Sequence, residues 1–141
     1  MAKSRTRSTT QAPSQRLILD SGAVIALSRN DGRARAALAA AWEAGVEVSI
    51  PAVVVAETIR GTAKDAPVNR VIKTVGEVTV VDERAARAAG ACLGATGSSS
   101  TVDAMVVASA VELGGGVVLT GDPDDLGTLA ADHPEVVISA L

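Results

Sequence analysis

The stretch Arg16–Leu27, RLILDSGAVIAL, narrows the possible folds of this chain more than any other. Leu17, Ile18 and Leu19 run straight into Asp20, and a second apolar run, Ala23–Leu27, follows Ser21 and Gly22. An unbroken apolar run has no polar side to offer water. It reads as a strand buried on both faces, the habit of a central strand in a parallel sheet. Asp20 stands where that strand ends, and either Asp20 or Ser21 suits the cap of a following helix. Ligands of open α/β sheets bind beyond the carboxyl ends of the strands. Asp20 is therefore the first candidate acid of an active site.

The rest of the chain repeats this alternation. The helix after Asp20 runs to about Ser28, and an Ala-rich helix over 33–44 ends at Gly45. Trp42 on that helix reads as a packing residue. Residues 46–50 alternate as a strand, and Pro51 suits the first turn of a helix over 51–60 that ends at Gly61. Residues 65–75 carry Val68, Val71, Ile72 and Val75 at helical spacing. A short strand over 78–81 precedes a helix from Glu83 to Leu93, capped by Asp82 and closed by Gly94. Helix 101–113, strand 117–120, a helix opened by Asp122-Pro123 and running to about 131, and strand 136–138 complete the chain. Strands alternating with helices predict a three-layer α/β/α sandwich around a central parallel sheet of about five strands. Right-handed crossovers then put helices on both faces.

At 141 residues the chain is expected to hold one domain, 16–141, behind a basic tail, 1–15. The tail is polar, lacks apolar periodicity and is expected to be disordered. Its charge suits a polyanion or plain solvation. Residues 1–16 carry four of the 13 basic residues and none of the 16 acidic ones, so nine basic residues face 16 acids in the remainder, a balance of −7. With no Phe or Tyr and one Trp, the core must be built from small aliphatic side chains packed closely. Cys92 is the only cysteine, which fits a reducing compartment, and among small residues it reads as a core side chain. No apolar stretch is long enough to span a bilayer or to form a signal peptide, so a cytoplasmic protein without membrane contact is expected.

Four acids stand apart from the surface charges. Asp20 ends the first strand, Asp122 follows the fourth, and Asp103 lies in the first turn of the helix from Thr101. Each also has a simpler use as a cap or as a carboxylate near a positive helix end. Glu57 lies in a helix apolar on nearly every side, AVVVAETI, which predicts burial. A buried carboxylate is costly without a cation or strong donors, and Arg60 or Gly61 are the nearest partners. If the first and fourth strands are neighbours, Asp20 and Asp122 face each other across the crevice between their exits. Converging carboxylates repel, and a divalent cation removes that conflict. The chain has one His and one Cys, too few for zinc, so an all-oxygen site suits Mg²⁺ or Mn²⁺. Such an ion activates water for in-line displacement at a phosphodiester.

LILDSGAVIAL, VVVAETIRG, STVDAMVVASA and LTGDPDDL, in this order, resemble the PIN domain, and in particular the VapC-type toxin ribonucleases, over roughly residues 16–141. The resemblance implies an acidic pocket of Asp20, Glu57, Asp103 and Asp122. Asp20, Asp103 and Asp122 would approach the metal, and Glu57 would act through water or as a base. Ser21 and Thr120 resemble the family's supporting hydroxyl residues. Asp124 and Asp125 read as first-turn acids of a structural kind, either of which could add to the site. The resemblance further implies a strand order of 78–81, 46–49, 17–19, 117–120 and 136–138. It implies Mg²⁺-dependent cleavage of RNA to 5′-phosphate and 3′-hydroxyl ends, a homodimer, and a cognate antitoxin occupying the groove. Lacking aromatics to stack bases, the chain would hold RNA through Arg29, Arg33, Arg35, Arg60, Lys64, Arg70 and Lys73.

Other folds with an acid after the first strand fit less well. A haloacid-type phosphatase expects a second Asp where Gly22 stands. A phosphate receiver expects a Lys after its last strand, and no Lys follows Lys73. Gly-x-Gly-x-x-Gly is absent, which argues against dinucleotide binding. A non-catalytic PIN-like module that binds RNA or protein is the alternative of a different class.

Overall fold

A computed structural model describes residues 16–141; the expected basic tail, 1–15, lies outside the described residues. Five strands, β1 (Arg16–Leu19), β2 (Glu47–Pro51), β3 (Val78–Thr79), β4 (Gly116–Thr120) and β5 (Val136–Ala140), form one sheet in the order β3-β2-β1-β4-β5. Every pairing is parallel. The helices are α1 (Ser21–Ser28), α2 (Gly32–Glu43), α3 (Ala52–Thr58), α4 (Ala66–Val75), α5 (Glu83–Thr96), α6 (Thr101–Glu112) and α7 (Pro123–Leu129). The expected three-layer sandwich and strand order are both found.

The strand order sets the two helical layers. From β1 the chain steps outward to β2 and β3 through α1 to α4. It then crosses back to β4 through α5 and α6 and steps the other way to β5 through α7. Right-handed crossovers in opposite directions place α1–α4 on one face and α5–α7 on the other. Consistently, α1 packs on α4 and α6 packs on α5 and α7. Direction reverses between β1 and β4, so their connections part and leave a crevice at the carboxyl edge.

Ile18, Leu19, Ile50, Val54, Val106, Val107, Val118 and Leu126 form the fully buried centre. Ala85 and Ala89 on α5 meet a run of buried residues on α6, and small side chains let these helices approach closely. Cys92 is buried among them, as expected of a core residue. Among the described residues no helix is long and apolar enough to cross a membrane.

Several local expectations change. Trp42 is 46 % exposed rather than packed. The buried stripe of α2 is Ala34, Leu38 and Ala41, and the residue after Ala41 points about 100° away from it. Helix α5 runs through Gly94 to Thr96 and ends at Gly97, whose φ of 72° provides the left-handed cap. An exposed helical glycine costs only about 1 kcal/mol, too little to end a helix whose other face is buried. Strand β3 is two residues long, and α3 stops at Thr58 because Ile59 is extended.

Candidate active site

The crevice between β1 and β4 holds an open cleft of about 330 Å³, lined by Asp20, Glu57, Asp103 and Asp122 with Ser21 and Thr120. All four expected acids and both expected hydroxyl residues thus converge at the carboxyl edge of the sheet.

Asp20 is buried at the end of β1. Its amide donates to the Leu119 carbonyl at 3.1 Å, carrying the β1–β4 ladder one residue further. One carboxylate oxygen accepts from the Ser21 amide at 2.8 Å, which is the cap anticipated from sequence. The other accepts from the Thr120 hydroxyl at 2.7 Å. The fully buried Thr120 oxygen also accepts from the Asp122 amide at 2.9 Å. One hydroxyl therefore ties the first acid to the backbone of the fourth. Gly22 and Gly121 make the same junction tighter. A Cβ on Gly22 would lie 2.9 Å from the Gly121 nitrogen, so the two loops touch backbone to backbone.

Asp122 stands at the N-cap position of α7, but its side chain accepts no bond from that helix. Its carboxyl instead gathers with those of Asp103 and Asp125, with one oxygen from each lying within 4.8 Å of the others. Of Asp124 and Asp125, which the sequence left open as structural acids or additions to the site, it is Asp125 that joins this cluster. The available signal was its spacing, three residues after Asp122 and so on the same side of the helix. Asp103 comes from the first turn of α6. Partial burial, and then the charges of Asp20, Asp122, Glu57 and Asp125, push its carboxyl up to about 6. Asp122 is also raised, first by lost hydration, then by its hydrogen bond with Asp125 and the charges around it.

Glu57 departs from expectation. It is exposed at the rim, and only Val54 of α3 is buried. Helix α3 sits at the edge of the cleft, so its apolar side chains only partly leave solvent. Glu57 accepts a hydrogen bond from the Ser21 hydroxyl. The Arg60 guanidinium does not partner it, but donates to the Ala56 and Ile59 carbonyls at 3.1 and 2.9 Å. Of the other basic residues, Arg35 and Arg70 line a separate cleft of about 240 Å³ with Leu27, Leu38 and Val71 as its floor.

The donor set suits a hard divalent cation. It offers only oxygen, and none of the ion pairs among the described residues reaches it. A raised Asp103 is the mark of a partly buried carboxyl among repelling carboxylates that no ion pair among the described residues offsets. Mg²⁺ and Mn²⁺ are the ions that carboxylate and water ligands favour.

The PIN domain family model matches residues 17–131. No curated protein sequence matches the chain. Among solved structures, the fold is similar to that of VapBC2 from Rickettsia felis bound to a promoter DNA fragment, with a TM-score of 0.70 at 11 % identity over 89 % of this chain and 98 % of that one. It is similar to a toxin–antitoxin complex from Klebsiella pneumoniae, with a TM-score of 0.66 at 20 % identity over 86 % and 95 %. It is also similar to DNA-bound VapBC from Salmonella typhimurium, with a TM-score of 0.61 at 20 % identity over 89 % and 97 %. Matched over most of its length and folded to the same strand order that its motifs imply, the chain belongs to the PIN domain family.

Proposed function

We propose that the chain is a Mg²⁺-dependent endoribonuclease, active also with Mn²⁺, and the toxin of a type II toxin–antitoxin pair that limits growth by cutting RNA. The observation that carries this reading is the convergence of Asp20, Glu57, Asp103 and Asp122 at the crevice, with Asp103 pushed up to about 6 by burial and by its neighbours. In this reading Asp20, Asp103 and Asp122 would hold the metal, joined by Asp125. The ion, when bound, supplies the charge that offsets these acids and polarises water and the scissile phosphate. Thr120 keeps Asp20 aimed into the cleft by donating to one of its oxygens. Glu57, exposed and hydrogen-bonded to Ser21, orients the attacking water and accepts its proton. As the water oxygen bonds to phosphorus the bond from phosphorus to the 3′-oxygen breaks, and the 3′-oxygen takes a proton from solvent, so the product ends are a 5′-phosphate and a 3′-hydroxyl.

A cognate antitoxin is part of the same proposal, supported by neighbours of like fold whose structures are toxin–antitoxin complexes. So is a cytoplasmic location, where RNA is met. A homodimer is supported by apolar helix surface left exposed, above all Trp42 on α2. Light scattering at micromolar concentration without antitoxin is expected to give twice the chain mass, and a monomer would count against it.

The test of function is to express the chain and its Asp20→Asn variant and map new RNA ends. The wild type is expected to create 5′-phosphate ends that vanish with the variant and, in vitro, with EDTA. Equal sets of ends from both proteins would refute the assignment.

A further inference from the structure

Helix α3 carries Glu57 with little to hold it. It has seven residues, one of them fully buried, and both Ala56 and Glu57 are exposed. Packing alone does not fix where this carboxylate stands. The chain just beyond it is fixed by another acid. Asp65 is buried, and its carboxylate accepts from three successive amides: Arg60 at 3.0 and 3.1 Å, Gly61 at 2.7 Å and Thr62 at 3.1 Å. Consecutive N–H groups curled around an anion form a nest. Gly61, with φ of 81°, supplies the left-handed backbone that lets the three converge. A second link ties the nest to the helix, since the Arg60 guanidinium reaches back to the Ala56 and Ile59 carbonyls on either side of Glu57. The Asp65 amide donates to the Thr62 carbonyl at 3.0 Å and closes the turn.

We propose that Asp65 is a positioning residue: by gathering the Arg60–Thr62 amides it anchors the end of α3 and holds Glu57 against Ser21. This rests on the reading of Glu57 as a member of the nuclease site. Asp65 itself does not line the cleft. Asn at this position keeps the shape but removes the charge: with its one oxygen at the Oδ2 position, which all three amides reach, its NH₂ group stands against the Arg60 amide that Oδ1 had accepted.

The test is a double-mutant cycle between Ser21→Ala and Asp65→Asn, read by thermal unfolding in EDTA. Ser21 and Asp65 share no hydrogen bond, so their effects should add unless Asp65 controls the Glu57–Ser21 contact. Ser21→Ala is expected to lower the midpoint by about 3 °C in the wild type and by under about 1 °C in Asp65→Asn. Cleavage should fall about tenfold in Asp65→Asn, and that fall should disappear in a Glu57→Gln background. Additive midpoints, or a cleavage loss that persists with Glu57→Gln, overturn the proposal and leave Asp65 a structural anchor only. If the wild type cleaves no RNA, the nuclease reading fails while the thermal cycle still decides the role of Asp65. Should Asp65→Asn not fold, Gly61→Ala, which strains the left-handed backbone on which the three amides converge, is carried through the same cycle.

Discussion

Asp103→Asn is expected to lower RNA cleavage by roughly 10²–10³-fold while making the metal-free protein more stable above about pH 6. Both effects follow from one cause. Asp103 is raised to about 6 by burial and by Asp20, Asp122, Glu57 and Asp125. An acid whose folded value lies above its unfolded one binds its proton more tightly in the fold. Its contribution is therefore lost as pH rises from about 4 through about 6, where the native state must ionise against its neighbours. Asn carries no charge at any pH, so the variant escapes that loss. A purely structural Asp103 predicts the opposite sign. As a first-turn acid near a helix N-terminus it would stabilise by about 0.3–1 kcal/mol, which Asn would forfeit. Thermal unfolding of both proteins from pH 4 to 8 in EDTA separates the two. The wild type should lose stability relative to the variant across this range, and added Mg²⁺ should raise the wild type much more than the variant. Equal cleavage by the two proteins, with equal Mg²⁺ shifts, would remove Asp103 from the site.

Much of this site was legible because its acids sit at element ends. Leu17–Leu19 is apolar without a break, so the strand and the position of Asp20 at its exit could be read directly. Asp103 and Asp122 follow from the same punctuation. The environment of each side chain was less accessible. AVVVAETI looks like a buried helix by content, yet content does not say what lies opposite it, and Glu57 stands exposed at the rim. Asp122 before Pro123 fits the sequence pattern of a cap, but its carboxyl is drawn to Asp103 and Asp125. Asp65 escaped notice because its partners are backbone amides, which have no residue signature. Its one trace is Thr62, three positions earlier, which with Asp65 makes a capping box.

Gly22→Ala is expected to damage both fold and cleavage, although Ala is the better helix former by about 1 kcal/mol and Gly22 lies within α1. Gly22 has no positive φ, so the backbone gives no reason to require glycine. Space does. The added Cβ would lie 2.9 Å from the Gly121 nitrogen and 3.2 Å from its Cα, and both are backbone atoms that no rotamer change can move. Relief requires the α1 entrance and the loop after β4 to separate. Those two segments carry Asp20 and Asp122, joined through the Thr120 hydroxyl. The overpacking should cost about 1–3 kcal/mol. A shift of about 1 Å between the acids should lower cleavage by about 10²-fold. Gly121→Ala is the internal comparison. Its Cβ would meet the Leu141 side chain at 3.7 Å and the Gly22 Cα at 3.9 Å, ordinary contacts, and Gly121 also lacks a positive φ. That variant should be neutral or stabilised by up to about 1 kcal/mol through its stiffer unfolded chain. Unfolding midpoints of the two variants measure the asymmetry. A Gly22→Ala protein as stable and as active as Gly121→Ala would mean that the two loops are free to part, and that the spacing of Asp20 and Asp122 is set elsewhere.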